Sequence, residues 1–260
     1  MDMRHLLHSL SVILLLVAPY GSSFSSQNDS SRRRPSKVAL LSSLKNSPQA
    51  ESLKKKLLQL GASYDRGFGA SPSARQEALR VMETLEAFNP EMDAARGITG
   101  DSQSPLEGSW CMIWTNAQDV LVLAASPLST VGAIYQVFAP PIVTNIIDLL
   151  PRAQALFPPS LLPQSLLRAE VTTRASPRRD KLNRIGLDFE AVKVRPIEVF
   201  GFDAGNLPPL GFDLPKLPGV DPDTSPGYFD VTFLDSDLLI IRQNAPGGIF
   251  ALAKVDNNDP

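Results

Sequence analysis

Histidine and cysteine are almost absent from this 260-residue chain. It contains two histidines, His5 and His8, and one cysteine, Cys111. Beyond residue 8, a Ser-His-Asp or Cys-His catalytic centre and a zinc site of His and Cys ligands are therefore excluded within one chain. A single cysteine also excludes an intramolecular disulfide. Cys111 lies between Trp110 and Met112, which favours a small buried hydrophobic residue over a reactive thiol.

An excess of positive charge is missing too. The chain has 25 Lys and Arg against 27 Asp and Glu, a formal net charge of −2, and several of the basic residues lie in the first 40 positions. The remainder has no basic field that would attract nucleic acid, so we expect no nucleic-acid partner. No acid/base pair is recognisable, and we predict a protein that is not an enzyme, with no catalytic residues, metal or cofactor.

The amino-terminal segment has the layout of a targeting sequence. Residues 1–23 combine Arg4 with an apolar run and then small residues, as in a signal peptide. The run is shorter than the roughly 20 residues that span a bilayer. Residues 24–48 are rich in Ser and Arg, with Asp29 as their one acidic residue, which is typical of a transit peptide. The alternative for 24–48 is a disordered basic linker in a secreted protein.

Two amphipathic helices are predicted in an N-terminal helical segment, residues 49–92. The stretch ESLKKKLLQLG places Leu53, Leu57 and Leu60 on one face, opposes them with lysines and ends at Gly61. A second helix begins at SPSARQ, which contains capping serines and a first-turn proline, and ends before Asn89 and its following proline. We expect the apolar stripe of the second helix to pack on the rest of the domain.

From residue 108 the apolar residues alternate with a period of two, which is the pattern of β-strands. Predicted strands begin at 108 (GSWCMIWT), 120 (VLVLAA), 133 (AIYQVFA), 166 (LLRAEVTTR) and 184 (RIGLDFEA). Three more, YFDVTF, LLIIRQ and IFALAKV, are separated by short turns and form a meander. About eight strands predict a mainly β fold, an antiparallel up-and-down β-barrel over residues 104–256, preceded by two α-helices. A barrel of this size can hold one small ligand.

The segment GFDAGNLPPLGFDLPKLPG, residues 201–219, combines loop-forming residues with large apolar side chains. Its prolines exclude an ordinary strand, and its apolar content is unlike a solvated linker. The Pro-rich loop 201–227 precedes the final meander, so in a barrel it lies at a rim. Two interpretations remain open: the apolar side chains form a lid or a lip for a membrane or partner, or they pack on the N-terminal helices. The side chains concerned are Phe202, Leu207, Leu210 and Phe212.

Several ordered motifs carry a family resemblance over residues 50 to 255. They are DRGFGASPSARQEALRVMETLEAFNP, LEGSWCMIWTN, IYQVF and YFDVTFLDSDLLIIRQNAPGGIFALAK. Together they resemble the plastid lipid-associated protein (PAP)/fibrillin family, plastid relatives of lipocalins. The chain departs from the family pattern at Leu238-Leu239 and at Gln243-Asn244. The presequence, with Phe24 after the first cleavage, resembles the bipartite presequence of algae with secondary plastids.

The resemblance implies a lipocalin-like fold and a non-enzymatic function. It implies a protein of the plastid in a secondary-plastid alga that binds a lipid, fatty acid or prenylquinone and associates with thylakoids or plastoglobules. One alternative is a scaffold that docks on a plastid protein complex, such as a photosynthetic complex or a prenyl-lipid biosynthetic enzyme, through an apolar rim. An enzyme on a lipocalin-like fold is the other.

The resemblance also nominates site residues. The family's Gly-x-Trp and its late Arg correspond to Gly108, Trp110 and Arg242, and in lipocalin-like barrels that Arg packs across the Trp at the closed end. We expect these three to close the barrel. Apart from the resemblance, inward aromatic residues of a barrel either pack in the core or line a ligand site. The candidates for ligand binding are aromatic residues of the strands and one adjacent amide, with Tyr135 and Gln136 able to orient a lipid head or a quinone oxygen. The candidates are Trp114, Tyr135, Gln136, Phe138 and Phe189.

Overall fold

An eight-stranded barrel forms the body of the protein, and two helices cover part of its outer surface. The computed structural model describes residues 47–158, 160–214, 227–244 and 247–256. The predicted signal peptide 1–23 and nearly all of the predicted transit peptide 24–48 lie outside these residues, as does the part of the Pro-rich loop from 215 to 226. The helices are α1 (Pro48–Ser63), α2 (Pro72–Glu86) and a short α3 (Gln118–Leu123).

The strands follow one another around the barrel in chain order. Neighbouring strands are antiparallel throughout, and β10 returns to pair with β1, so the up-and-down barrel is confirmed. Two short strands, β6 and β7, lie outside the ring on the edge of β5. The strands are β1 (Gly108–Thr115), β2 (Ser129–Ala139), β3 (Ile142–Pro151), β4 (Leu166–Pro177), β5 (Arg184–Val199), β6 (Phe202–Asp203), β7 (Leu210–Asp213), β8 (Tyr228–Leu234), β9 (Leu238–Gln243) and β10 (Gly248–Val255).

One predicted strand is wrong, one strand of the ring was missed, and the short strands β6 and β7 form in the Pro-rich loop, where no strand was expected. Residues from Val120 were expected to form a strand, but Gln118–Leu123 is helix α3. Its buried residues Val120 and Leu123 are three positions apart and contact the barrel core, while Val122 is exposed. A six-residue apolar run does not distinguish a strand from a helix by periodicity. The missed strand is β3, which directly follows the hairpin after β2 and completes the ring of eight.

The helices pack on the outer face of the barrel. Leu57 and Leu60 of α1 and Met82 and Leu85 of α2 are buried against outward-facing residues of β1, β8, β9 and β10. This confirms the predicted packing of the apolar stripe of α2. The Ser71 side chain caps α2 by accepting a hydrogen bond from the Ala74 amide at 3.2 Å.

Two ion pairs attach these helices to the strands. Arg242 of β9 makes a bidentate pair with Glu86 at the end of α2, at 2.7 and 2.9 Å. Lys54 of α1 contacts Asp235 in the β8–β9 turn at 2.5 Å. Burial alone would lower the pKa of Lys54, but hydrogen bonds to Asp235 and Glu51 raise it. Lys54 therefore docks α1 rather than serving only as part of a solvated face.

Closure of the ring depends on a short ladder between β5 and β8. Only Arg184 to Gly186 of β5 pair with β8. Arg184 makes a bidentate ion pair with Asp230, directly opposite, at 2.6 and 2.9 Å, and its guanidinium lies 4.1 Å from the centre of the Tyr228 ring. Asn183 adds a side-chain hydrogen bond of 2.7 Å to the Val231 carbonyl.

We predict that Asp230→Asn lowers the stability of the protein at neutral pH. Burial would raise the pKa of Asp230, but hydrogen bonds from Arg184 and Lys181 outweigh it and lower the pKa below 3.8. A carboxylate with a depressed pKa adds stability above its unfolded pKa and loses it as the pH falls through the folded pKa. The expected loss is about 1–3 kcal/mol in the free energy of unfolding near pH 7, shrinking below about pH 4.

Chemical denaturation at several pH values measures this effect. Glu77→Gln is the control, because Glu77 pairs with Lys56 at the surface, where both side chains are about half exposed and an ion pair contributes little. Equal losses for the two variants would contradict the role of Asp230 in closing the barrel.

Candidate functional site

Polar side chains interrupt the apolar interior of the barrel midway along its length. Toward one end, the closed end, Trp110, Phe138, Ile185 and Phe229 form a fully buried layer that is covered by residues of the 94–106 segment. Toward the other end a second apolar layer is formed by β2 to β5 and α3; its buried members are Leu123, Val131, Ile147, Ala169, Val171, Val192 and Val194. Between these layers, Gln136 lies opposite Trp110 on β1 and opposite Asn145 on β3.

The interior between the two layers is not completely filled. Ile134, Leu187, Phe189 and Phe250 pack against the buried layers, and Asn145 faces inward beside Gln136, yet all five are only partly buried. Because inward-facing side chains retain accessible surface, space remains beside them. The side chains that keep accessible surface are apolar except for Asn145, and sites for small apolar molecules are likewise lined mainly by apolar side chains.

Three of the five predicted ligand-binding residues face this interior. Gln136 and Phe138 are buried and Phe189 is partly buried. Phe138 belongs to the closed-end layer and meets Phe229 edge-on, with ring centres 6.4 Å apart. Phe189 packs against the apolar layer toward the other end, and Gln136 lies between the two layers. These positions support the predicted set without testing whether any of these residues binds a ligand.

The structure places Trp114 outside the interior, which corrects its predicted position. A β-bulge at Ile113 makes Met112 pair with Leu252 but Trp114 pair with Ala251. An extra residue in one strand reverses the face of the residues that follow. Trp114 is therefore fully buried beneath α1 and α2, and no ligand inside the barrel can reach it.

Tyr135 is also outside the interior. It lies opposite Cys111 and Ile146 on the face of β2 away from Gln136. Neighbouring residues of a strand point to opposite faces, so Tyr135 and Gln136 cannot both line one pocket. The prediction that they act together is wrong for this reason.

At the closed end a lysine takes the position expected for arginine. The Lys254 ammonium lies 4.3 Å from the centre of the Trp110 ring and donates to the Glu107 carbonyl, while burial lowers the pKa of Lys254. Arg242 faces outward to Glu86, so its predicted packing across Trp110 is wrong. The Trp110 indole donates to the Leu106 carbonyl at 2.8 Å. Lys254 was not identified from the sequence. It is the second-to-last residue of β10 and pairs with Trp110 of β1.

Gly108 starts β1 in a backbone conformation that favours glycine. Its φ is +114°, a region that residues with a Cβ atom rarely adopt. This backbone angle explains why a glycine occupies the first position of β1.

The wall between β5 and β8 is incomplete beyond the short ladder that joins them. From Ala191 to Val194 the free edge of β5 pairs with β7 instead of β8. Phe212 lies opposite Val192 and Leu210 opposite Val194, so their side chains are on the inward face of the sheet. Both are nevertheless exposed, at 47% and 68%, because β7 lies outside the ring. The inward apolar face of β5 therefore continues to the surface at this point.

Exposed apolar residues gather at the same end of the barrel. Among the described residues, every exposed large hydrophobic side chain except Leu58, Met92 and Leu182 lies in the loops and short elements that join β1 to β2, β3 to β4, and β5 to β8. We call this set the apolar rim. Its members are Val122, Leu128, Leu156, Phe157, Leu161, Phe200, Phe202, Leu207, Leu210 and Phe212.

Hydrogen bonds join the loops of the apolar rim. The Arg152 guanidinium donates to the carbonyls of Ala124, Ser126 and Ser129, and the Gly201 amide donates to the Gln164 carbonyl at 2.7 Å. Phe202, Leu207, Leu210 and Phe212 are exposed, so the interpretation in which they pack on the N-terminal helices is wrong. The contributions of Phe157 and Phe200 were missed because they lie in separate loops that only the fold brings together.

No described helix has the length and hydropathy needed to cross a membrane. Within the same residues, His, Cys, Asp and Glu side chains do not come together in groups of three or more that would hold a metal ion.

Comparison with known proteins gives one family and one relative. The family model PAP_fibrillin matches residues 51–253. A protein of Oryza sativa subsp. japonica named "Probable plastid-lipid-associated protein 3, chloroplastic" is 27% identical over 236 residues, which cover 78% of this chain and 59% of the Oryza protein. The chain thus spans less than two thirds of that relative's length. No solved structure gives a significant match.

We predict that Trp110→Ala destabilises the closed end. Trp110 is 1% exposed, and removing a buried Trp side chain should reduce the free energy of unfolding by about 3–5 kcal/mol. Thermal or denaturant unfolding measures the change, with exposed Leu58→Ala as the control. A melting midpoint equal to that of the unaltered protein would show that Trp110 is not part of the core.

Proposed function

The chain belongs to the PAP_fibrillin family, and from this premise we propose that it is a plastid lipid-associated protein that takes the apolar part of a lipid into its barrel from a membrane surface. The name of the Oryza relative, which is chloroplastic and lipid-associated, supports the plastid and the lipid. Because the match leaves part of that relative uncovered, lipid binding by this chain rests on its own geometry.

The carrying observation is the continuity between the apolar rim and the barrel interior. Leu210 and Phe212 are exposed at the rim and, through their pairing with Val194 and Val192, belong to the inner face of the sheet. From there the inner face runs through Val171 to Asn145 and Gln136 across β4, β3 and β2. A lipid chain can lie along the apolar part of this path, from Phe212 to Val171, so its apolar area stays out of water.

The apolar rim itself suits a membrane surface. Large exposed apolar patches on monomeric proteins mark interaction sites, and aromatic residues such as Phe202, Phe200 and Phe157 are able to enter the interfacial layer of a membrane. We propose thylakoid or plastoglobule surfaces as the membranes concerned, and prenyl lipids or fatty-acid derivatives as the cargo. No step of this function needs an acid, base or metal.

The alternative is docking of the same rim on a plastid protein complex. The buried closed-end layer of Trp110, Phe138 and Phe229 favours this alternative, because side chains fill that half of the barrel. The two functions differ in what the rim contacts: lipid in one case and a protein surface in the other.

We predict that the double variant Phe202→Ser/Phe212→Ser weakens membrane binding without unfolding the protein. Each Phe that leaves water contributes about 1.5–3 kcal/mol when fully buried, so partial insertion of two should make the loss at least about tenfold. Sedimentation with phosphatidylcholine vesicles measures the partition coefficient, and thermal unfolding monitors the fold. The melting midpoint should hardly change, because both side chains are exposed.

Leu182→Ser is the matched control for this experiment. Leu182 is 67% exposed and lies in the β4–β5 turn, at the opposite end of the barrel, so its change should leave vesicle binding intact. Equal vesicle binding by the unaltered protein, the double Phe variant and the Leu182→Ser variant would contradict the membrane proposal and favour docking on a protein.

A further inference from the structure

The amide pair inside the barrel has hydrogen-bonding capacity that the protein does not use. The Gln136 side-chain nitrogen donates to the Asn145 side-chain oxygen at 3.1 Å. The side-chain oxygen of Gln136, Oε1, is buried and has no hydrogen-bond partner. The Gln136 residue as a whole is 5% exposed. Buried polar atoms without a partner are uncommon and costly. This one lies between the two apolar layers, at the cross-strand position next to the partly buried Asn145.

The pair has one unused acceptor and one unused donor. Gln136 offers its free oxygen, and Asn145 offers its side-chain NH2, which makes no hydrogen bond with the described residues. If both amides were turned by 180°, the roles would exchange and the pair would still offer one donor and one acceptor. The complementary ligand group must therefore both donate and accept.

We infer that the Gln136–Asn145 pair binds the hydroxyl group of a long-chain apolar lipid, an alcohol or a phenol such as a hydroquinone; this inference rests on the proposed lipid binding and deepens it. A hydroxyl donates to Gln136 and accepts from Asn145. A ketone, ether or quinone oxygen only accepts, so it leaves the Gln136 oxygen without a partner. A carboxylate also lacks a donor and would bring an ionised group into an apolar surrounding.

The surroundings of the pair fit the rest of such a ligand. Trp110 lies beside Gln136 and Val171 beside Asn145 in the same cross-strand row. The partly buried Phe189 and Ile134 belong to the apolar layer toward the rim. The hydroxyl would thus be held in the middle of the barrel and the chain would extend toward Val192 and Phe212.

The preference for a hydroxyl group can be measured with two ligands that differ in whether their oxygen carries a hydrogen-bond donor. Dodecanol and dodecyl methyl ether have the same alkyl chain, but the ether has no O–H. Their affinities for the unaltered protein are obtained from displacement of the fluorescent apolar dye 1-aminoanthracene. We expect the alcohol to bind roughly ten- to hundredfold more tightly, because a site that hydrogen-bonds a hydroxyl discriminates against an analogue without it.

Substitution of the pair assigns the selectivity to these residues. Gln136→Leu, and the double variant Gln136→Leu/Asn145→Leu that also removes the second amide, should bring the alcohol-to-ether ratio close to one while the ether still binds. Gln76→Leu is the control, since Gln76 is exposed on α2, and it should keep the ratio of the unaltered protein. Thermal unfolding checks that each variant is folded.

The outcomes separate this inference from the proposed function. Equal binding of alcohol and ether by the unaltered protein would overturn the inference and leave lipid binding standing. A preference that persists in both Gln136 variants would overturn the assignment to this pair. Failure of the dye and of both ligands to bind would overturn the proposed lipid binding and, with it, this inference.

Discussion

The barrel depends on the short ladder by which β5 reaches β8. Three residue pairs close the ring, and the strongest contact among them is the bidentate ion pair of Arg184 with Asp230. Partly buried charges are stabilising only when they are well paired and hydrogen-bonded, and Arg184 meets this condition through Asp230, Asp180 and the Tyr228 ring. A longer ladder would seal the wall, whereas this one leaves the edge of β5 free for β7.

That incomplete closure connects the remaining features of the molecule. Because β7 pairs with β5 outside the ring, the inner apolar face reaches the surface at Leu210 and Phe212. The other residues of the apolar rim surround this point, because the β1–β2, β3–β4 and β5–β8 connections all lie at the same end of the barrel. The opposite pole is closed by Trp110, Lys254 and the 94–106 segment. The barrel therefore has one sealed end and one end suited to apolar contacts.

Strand β1 shows how one extra residue in a strand changes which side chains face the barrel interior. Until Met112 the alternation of the sequence describes the strand correctly, with Trp110 inside. The bulge at Ile113 then turns Trp114 toward the helices. A bulge is a property of two paired strands, and the sequence of β1 alone gives no sign of it. Arg242 and Lys254 illustrate the same dependence, because their faces follow from the register of β9 and β10.

The sequence by itself determined the composition of the fold: two amphipathic helices, a terminal meander and enough alternating strands for a barrel, all of which follow from local periodicity. It also placed Gln136, Phe138 and Phe189 among the interior candidates and identified an apolar Pro-rich loop. Tertiary structure alone decided that Tyr135 and Trp114 face outward, that residues 118–123 form a helix, and that Phe157, Phe200 and Phe212 share one rim. The physical reason is that side-chain facing and the meeting of distant loops are set by strand register and ring closure, which arise from contacts between residues far apart in the chain.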